Sequence, residues 1–367
     1  MNLEHIRSLF PITKEAIFLN SASQSPLNLL VNKKLQEYLK TEINPLYKKA
    51  FNRNNLRIHL SKILGGSPSE YALTTSTGVG LGIVAQGIPF KKGDNIVIPE
   101  REHWNNAFPW LQLQKKGVEI RFVKVHKDNR IEPEAFEKLI DNKTRVVAVA
   151  AVRYNSGFRP NLSAIGKFAH KKGAIFVVDA AQAAGMIPID VEKEQIDVMS
   201  GCGFKWLLGT HGTGFLYVSK KVVEKIHPVL PGMYAAENIH DKLTYYNDAR
   251  KFETGTIAYS LFDAWSAGLE LLLNIGVQNI YNKAIENTDI LIKGIQGKGH
   301  QIVTPIKNKE ERTAIIHFNT GALKTTKILY NKLKEHKVLV SLQAENIRVS
   351  PNFFTTKEEI KIFLSLI

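Results

Sequence analysis

The sequence is poor in cysteine, with Cys202 as the only one among 367 residues. One thiol excludes an intramolecular disulfide and a metal site built from several cysteines, and we expect no bound metal. No apolar run approaches the roughly 20 residues of a membrane-spanning helix. The first residues also lack the apolar core of a signal peptide. These absences predict a cytoplasmic protein without a membrane contact.

Long runs of like charge are also missing, although the net charge is +15. The 49 lysines and arginines outnumber the 34 aspartates and glutamates, but they are scattered along the chain. Such scatter is typical of a solvated, lysine-rich surface, so we expect no nucleic-acid partner. A non-catalytic nucleic-acid-binding protein stays an alternative, and its DNA affinity would fall steeply with salt.

The hydrophobic pattern divides the chain. Between residues 71 and 218, short apolar runs alternate with helical segments, which predicts an α/β fold with a mostly parallel, helix-covered sheet. The remainder of the chain reads as long helices and a smaller α+β unit. We predict a large domain of residues 31–255 and a small domain of residues 1–30 and 256–367. One helix is predicted over residues 31–64.

The stretch from Ala174 to Gly214 concentrates the functional signals. A buried-strand pattern ends at Asp179, and a second short apolar run leads to Lys205 and three glycines. Because the carboxyl ends of parallel strands gather at one edge of a sheet, we expect the acid and the lysine to meet there. A partly dry pocket keeps a lysine amine neutral and reactive. With Gln182 nearby, the pattern favours a catalytic lysine over a surface one.

A second signal is TTSTGVGLG at residues 74–82, at a predicted strand-to-helix turn. Hydroxyls and unpaired N–H groups at the start of a helix form an anion site. The same stretch fits a loose dinucleotide fingerprint, Gly80-x-Gly82-x-x-Ala85, with Glu100 as a ribose ligand. A nucleotide-binding oxidoreductase is therefore kept as an alternative, although these glycines would lie inside the helix.

Seven segments match one family in the expected order. They are LNSAS (19–23), TTSTGVGLG (74–82), EHWNNAFPW (102–110), VDAAQ (178–182), DVMSGCGFKWLLGTHGTG (197–214), KFETGT (251–256) and IRVSPNFF (347–354). With them the chain resembles the class V aminotransferases, which are fold-type I enzymes dependent on pyridoxal 5′-phosphate (PLP) and include cysteine desulfurases and isopenicillin-N-epimerase-like proteins. The resemblance implies that fold, PLP as cofactor and an amino acid as substrate.

The resemblance assigns three central roles. Lys205 falls on the lysine that forms the internal aldimine with PLP and moves the Cα proton of the substrate. Asp179 falls on the acid that pairs with the pyridinium nitrogen and keeps it protonated. Trp104 takes the ring-stacking position, for which its large π face is suited.

Further contacts follow from the same resemblance. Gln182 falls where a side chain contacts the phenolic oxygen of PLP. A second such contact comes after a central strand, from Tyr154 or Asn155, and we place Asn155 among the cofactor contacts. Arg348 falls on the arginine that grips the substrate carboxylate, for which a planar fork is suited. We expect the loop at Asn20 to help select the substrate.

The phosphate of PLP is expected near Thr77 and Gly78, with Cys202 beside it as a small buried wall residue. Thr256 falls on a phosphate contact that relatives take from the neighbouring subunit, which implies a homodimer with composite active sites. Relatives often have Ser and His where this chain has Cys202 and Phe204, and Gly78 replaces a frequent second Thr. One or two phosphate contacts therefore look lost.

The reaction is less constrained than the cofactor. Residues 341–346, before Arg348, contain no cysteine, whereas cysteine desulfurases attack the substrate sulfur with a cysteine from this region. Desulfuration through a protein persulfide is therefore disfavoured. We expect transfer of the amino group to a 2-oxo acid. A C–S lyase or desulfurase-like reaction and epimerisation are the alternatives, because one carbanion can partition several ways.

Overall fold

The computed structural model describes residues 3–47, 51–238 and 243–367. The α-helices are α1 (Leu3–Ser8), α2 (Leu29–Ile43), α3 (Arg53–Leu64), α4 (Thr77–Gly87), α5 (Trp104–Leu111), α6 (Pro133–Glu137), α7 (Leu162–Lys171), α8 (Tyr259–Ile275), α9 (Val277–Gly297), α10 (Leu323–Glu335) and α11 (Lys357–Leu366). Among these described helices, none is both long and apolar enough to cross a membrane.

The β-strands form one large sheet, one smaller sheet and two strand pairs. They are β1 (Ile17–Phe18), β2 (Tyr71–Thr74), β3 (Asn95–Pro99), β4 (Glu119–Val123), β5 (Thr144–Ala150), β6 (Ile175–Asp179), β7 (Val198–Cys202), β8 (Gly214–Val218), β9 (Ala236–Asn238), β10 (Thr244–Tyr245), β11 (Gln301–Ile302), β12 (Ile316–Asn319), β13 (Val338–Leu339), β14 (Ser341–Gln343) and β15 (Asn346–Val349).

The large sheet has seven strands in the order β2-β8-β7-β6-β5-β3-β4. β8 runs antiparallel to both of its neighbours, and every other pairing in this sheet is parallel. All residues of β6, β7 and β8 are buried, as expected for strands that are covered on both faces. The predicted α/β fold with a mostly parallel sheet is confirmed.

Alternate residues of the strands enter two hydrophobic cores. Val97, Val147 and Phe176 belong to the core that contains residues of α3, α7 and α8. Val146 and Val177 belong to the opposite core, with residues of α4 and α5. Each fully buried aliphatic side chain of this kind stabilises the fold by about 1.5–3 kcal/mol. Helices therefore cover both faces of the sheet and leave its edges for loops.

The smaller antiparallel sheet, in the order β11-β12-β15-β14, has its own core with residues of α9, α10 and α11. Helix α8 also comes from the predicted small domain, but it packs against α2 and α3 of the predicted large domain. The division at residues 30 and 255 stays a prediction.

One predicted helix is wrong as a continuous element, because residues 31–64 contain two helices, α2 and α3. Asn44 ends α2 with an extended backbone, at φ −127° and ψ 93°. Pro45 follows, and the residue before a proline is driven away from helical geometry. The side chain of Asn52 then caps α3 by accepting a hydrogen bond from the Asn54 backbone N–H.

Candidate active site

The carboxyl ends of β2, β3, β5, β6 and β7 meet at one edge of the large sheet, and a cleft lies there. It is lined by Ser76, Thr77, His103, Asn105, Ala150, Val152, Tyr154, Asp179, Ala181, Gln182, Cys202, Phe204 and Lys205. Ligands of open α/β sheets bind at this edge. Five of the predicted cofactor-site residues thus share one cleft, namely Thr77, Asp179, Gln182, Cys202 and Lys205.

Asp179 ends β6 and is buried, with 4% of its surface exposed. Its Oδ1 accepts a hydrogen bond from the Ala181 backbone N–H at 2.8 Å. Burial raises the pKa of Asp179 to about 6, the charge of Glu102 adds to the rise, and that of Lys205 opposes it. A buried carboxyl that forms no ion pair with a described residue is suited to an N–H⁺ group of a ligand.

Lys205 lies in the turn after β7, with its Nζ 5.5 Å from the centre of the Phe204 ring. Two glycines let this turn pack against Trp265 of α8. A Cβ at Gly203 would lie 3.0 Å from the Trp265 ring, and a Cβ at Gly209 would lie 2.4 Å from it. A contact of 3.0 Å is tighter than most real Cβ contacts, and one of 2.4 Å is not tolerated, so these glycines fix where the lysine emerges.

Thr77 begins α4, and its Oγ1 is buried without a well-formed hydrogen bond. The side chain of Ser76 caps the helix by accepting a hydrogen bond from the Val79 backbone N–H at 3.2 Å. The first N–H groups of α4 have no acceptor within the helix. A free hydroxyl and free N–H groups at a helix start form an anion site.

The dinucleotide interpretation of the same segment is not supported. Gly80 lies inside α4, where a Cβ would meet the Ser200 Oγ of β7 at 2.3 Å. This glycine is needed for helix–sheet packing, and it does not lie in the phosphate-binding turn that the fingerprint requires.

Gln182 is held on both sides of its carboxamide. Its Nε2 donates to the Ala22 carbonyl oxygen at 2.8 Å, and its Oε1 accepts from Trp206 Nε1 at 3.0 Å. Of the two candidates after β5, Tyr154 lines the cleft and Asn155 does not. The Asn155 Nδ2 donates to a carbonyl oxygen of the loop after β3 at 3.3 Å, and its Oδ1 is buried without a partner.

Trp104, which the resemblance places against the cofactor ring, does not line the cleft. Its side chain is 66% exposed, and the preceding residue, His103, lines the cleft instead. The His103 ring lies edge-on to Tyr154, with centroids 5.0 Å apart. Burial lowers the pKa of His103, and the charges of Lys205 and Arg348 lower it further. A neutral imidazole is a flat ring that can face an aromatic ligand.

A buried ion pair fixes the loop that carries His103. Arg153 Nη1 donates to Glu102 Oε1 at 3.0 Å, and both side chains are 2% exposed. Arg153 Nη2 donates to the carbonyl oxygens of Glu100 at 2.8 Å and Arg101 at 3.0 Å. Arg101 has a left-handed backbone, with φ 55°. In the sequence, the only signal for this pair is that opposite charges follow two buried strands.

Arg348 of β15, in the smaller sheet, lies near enough to the cleft residue His103 for its charge to lower the pKa of that histidine. It is 3% exposed, and burial lowers its pKa to about 10. Its Nη2 donates to Ser341 Oγ at 3.1 Å, and that hydroxyl donates to Asn20 Oδ1. On the facing strand, His317 Nε2 donates to the Tyr154 carbonyl oxygen at 3.1 Å. These bonds tie the smaller sheet to the cleft.

The three remaining predicted site residues, Thr256, Gly78 and Cys202, lie in different places relative to the cleft. Thr256 is exposed and does not line the cleft of its own chain. Gly78 lies at the start of α4, against the Asn105 side chain. Cys202 lines the cleft, and burial raises the pKa of its thiol. Within the described residues, no group of three or more potential His, Cys, Asp or Glu ligands could hold a metal ion.

A family model described as "Aminotransferase class-V" matches residues 17–362. The chain belongs to the class-V aminotransferase family. It is 31% identical over 301 residues to a "Probable cysteine desulfurase" of Methanothermobacter thermautotrophicus, covering 79% of this chain and 75% of the relative. An "Uncharacterized aminotransferase YcbU" of Bacillus subtilis is 28% identical over 361 residues, covering 98% of this chain and 95% of the relative.

Solved structures have the same fold as this class-V aminotransferase. The apo cysteine desulfurase from Thermococcus onnurineus NA1 matches with a TM-score of 0.90 at 24% identity, covering 99% of this chain and 96% of that structure. A complex of the cystine C-S lyase C-DES with cysteine persulfide matches with a TM-score of 0.88 at 22% identity, covering 97% and 98%.

Class-V aminotransferases are PLP-dependent enzymes, and PLP is therefore the cofactor of this one. The cleft fits that group chemically. The unpartnered Thr77 hydroxyl at the start of α4 suits a phosphate, and the buried Asp179 carboxyl suits a ring N–H⁺. Lys205 lines the same cleft.

Proposed function

We propose that this enzyme is an aminotransferase, which moves the amino group of an amino acid to a 2-oxo acid at the cleft around Lys205. The observation that carries the proposal is that Lys205 and the buried Asp179 line one cleft, whose single cysteine is a buried wall residue. The buried Arg348 lies near enough for its charge to lower the pKa of His103 in that cleft. In the first half-reaction the donor leaves as a 2-oxo acid, and in the second the acceptor leaves as an amino acid.

Bound PLP supplies an electron sink that makes the Cα proton of the substrate acidic. The Asp179 carboxylate stabilises positive charge at the ring nitrogen. Lys205 Nζ takes the Cα proton of the donor and, in the return half-reaction, delivers a proton to Cα of the new amino acid. His103, which lines the cleft, would face the ring in the role that the sequence suggested for Trp104.

Arg348 binds the substrate carboxylate in this proposal. A buried guanidinium with donors left free makes strong, directional hydrogen bonds to a carboxylate. Ser341 holds Arg348 through Nη2, and Asn20 holds Ser341. Asn20 thus acts on the substrate through Ser341 and Arg348.

A C–S lyase or desulfurase-like reaction is the second candidate, because several similar relatives carry the name "Probable cysteine desulfurase". Against the persulfide route, β14 and β15 form a tight hairpin with Ala344 and Glu345 between them and no cysteine. The thiol of Cys202 is also buried, and its raised pKa keeps it protonated and a poor nucleophile.

A panel of amino acids with pyruvate or 2-oxoglutarate as acceptor separates these reactions. The proposal expects a new amino acid that forms only when donor and acceptor are both present. Sulfide release from cysteine or cystine without an acceptor would instead establish a lyase, and loss of optical purity without transfer would establish an epimerase. The Lys205→Ala variant is the blank for all three assays.

We also propose that two chains complete each active site in a homodimer. Thr256 is exposed and does not line its own cleft, while Trp104 and Phe108 of α5 are 66% and 61% exposed. A mixing experiment tests this arrangement. Lys205→Ala and Thr256→Asp chains, each inactive alone, should regain up to about half of the activity when they exchange, because one site of a mixed dimer is then intact. Absence of recovery in exchanged dimers would mean that each site lies within one chain.

A further inference from the structure

We propose that Asn105 is a ligand of the cofactor phosphate and replaces contacts that this chain has lost elsewhere. The inference rests on the proposed cofactor site, with the phosphate at the start of α4. Nothing in the family resemblance assigned a role to Asn105, and its position in the cleft emerges only from the fold.

The start of α4 is an anion site on two independent observations. Its first N–H groups have no acceptor within the eleven-residue helix. The Thr77 hydroxyl is in addition buried without a well-formed hydrogen bond, and Thr77 is only 3% exposed. Thr77 lines the cleft at this helix start.

The side chains opposite Thr77 contribute few further donors. Cys202 and Phe204 line the cleft, but a phenyl ring donates no hydrogen bond and a thiol donates only a weak one. Among the described lining residues, Lys205 is the only lysine or arginine, and it is committed to the reaction. Besides the hydroxyls of Ser76 and Thr77, a phosphate at α4 has room for one more donor close to the helix start.

Asn105 can supply this donor. It is the second residue of α5, it lines the cleft, and among the described residues its carboxamide makes no hydrogen bond. A carboxamide provides two N–H donors, and a hydrogen bond to a charged group is stronger than one between neutral groups. Asn105 can thus add a donor beside Thr77 without adding charge.

Gly78 explains how Asn105 reaches this position. A Cβ at residue 78 would lie 3.3 Å from the Asn105 Cγ and 3.4 Å from its Oδ1. The glycine is not required by the backbone, since residue 78 lies within the regular helix α4. Its function is to leave space for the carboxamide, so Gly78 and Asn105 form a matched pair in which an amide replaces a hydroxyl.

The test compares binding of PLP and of pyridoxal, which lacks the phosphate, to the apo protein by fluorescence quenching. Asn105→Ala should raise the Kd for PLP by about 10- to 100-fold, as expected for one hydrogen bond to a charged group, and leave the Kd for pyridoxal unchanged. Asn105→Asp should raise the PLP Kd further, because a carboxylate repels the phosphate. Gln112→Ala, an exposed carboxamide at the other end of α5, is the matched control.

Gly78→Ala provides a second route to the same result, and it should fold well because alanine favours a helix interior over glycine. It should displace the carboxamide and weaken PLP binding selectively. Unchanged PLP affinity in Asn105→Ala, or equal losses for PLP and pyridoxal, would overturn the assignment of Asn105. If the wild-type protein binds neither compound, the proposed cofactor site itself fails.

Discussion

At the amino-terminal edge of the large sheet, Asp141 accepts side-chain hydrogen bonds from Arg121 and Asn95, both at 2.8 Å. At the carboxyl-terminal edge, Asp179 accepts one from the Ala181 backbone. Because their surroundings differ in this way, the pKa values of Asp141 and Asp179 shift in opposite directions. Hydrogen bonds from Arg121 and Asn95 hold the pKa of Asp141 well below its usual range, whereas burial raises that of Asp179.

This difference separates structure from function within one sheet. Polar groups at the amino-terminal edge satisfy one another and stabilise the fold. Groups in the cleft, such as the Thr77 hydroxyl, are buried at a cost because the protein gives them no well-formed hydrogen bond. A ligand with a complementary anion and cation would supply the missing partners. The following experiments test whether the two edges behave so differently.

The largest effect is expected at Lys205. Lys205→Ala should lower turnover by at least about 10³-fold, because it removes the group that moves the proton. The free energy of unfolding should change little, since this side chain is only partly buried. Borohydride reduction of the holoenzyme followed by peptide mapping should place the cofactor on Lys205. A covalent adduct on any other lysine would contradict the assignment.

The Arg153–Glu102 pair is an exception to this difference between the edges, because both of its charged groups have partners although the pair lies beside the cleft. Arg153→Met leaves a buried carboxylate without its partner and should destabilise the protein by about 3–5 kcal/mol. The double variant with Glu102→Gln should recover most of that loss, as seen by urea denaturation.

Activity distinguishes a positioning role from a purely structural one. If the pair holds the His103 loop, the double variant should regain stability but keep a raised KM or a lowered kcat, because the bonds to Glu100 and Arg101 are still missing. Full recovery of both stability and activity would limit the pair to a structural role.

Asp179→Asn and Asp141→Asn compare the two edges directly. Since the folded pKa of Asp179 is about 6 rather than 3.8, the folded apo protein loses stability as pH rises between these values. Asp179→Asn should therefore stabilise the apo form at pH 8 by about 2–3 kcal/mol and lower turnover by at least about 100-fold. Urea denaturation at pH 4.5 and pH 8, with kinetics of the holoenzyme, measures both effects.

Asp141→Asn, the matched substitution, should change the stability in the opposite direction from Asp179→Asn. The pKa of Asp141 is lowered, so its contribution is present above the unfolded pKa and is lost as pH falls. Asp141→Asn should destabilise the protein at pH 8 by at most about 1 kcal/mol, because solvent screens this partly exposed pair. Its activity should equal that of the wild type. If Asp179→Asn and Asp141→Asn changed the stability at pH 8 in the same direction, the proposed difference between the two edges would be refuted.

The sequence predicts much of this arrangement because strand ends follow from hydrophobic periodicity. Asp179 and Lys205 are each placed by an apolar run, and Thr77 by a helix start, and the structure brings all three into one cleft. Residues 31–64 show the limit of that method, since a helical pattern extends across the break at Asn44.

The sequence does not predict which of two neighbours faces the cleft. His103 rather than Trp104 does so because of the left-handed turn at Arg101 and the bonds from Arg153, which lies far along the chain. Asn105 was missed for the same reason. Local patterns carry no signal for a turn that is fixed by a tertiary contact.

The smallest effect is expected at His170, on the amino-terminal edge. Its Nε2 lies 2.7 Å from Asp197 Oδ2, and that hydrogen bond raises the pKa of His170. The resulting stabilisation is present below the unfolded pKa and is lost as pH rises through the folded one. His170→Gln should cost at most about 1 kcal/mol at pH 6, since the pair is partly exposed, and less at pH 9. Thermal unfolding at both pH values measures this change. As a control, Asp197→Asn should destabilise the His170→Gln variant less than it destabilises the wild type. Activity should not change, and a loss of turnover would mean that this edge also serves the reaction.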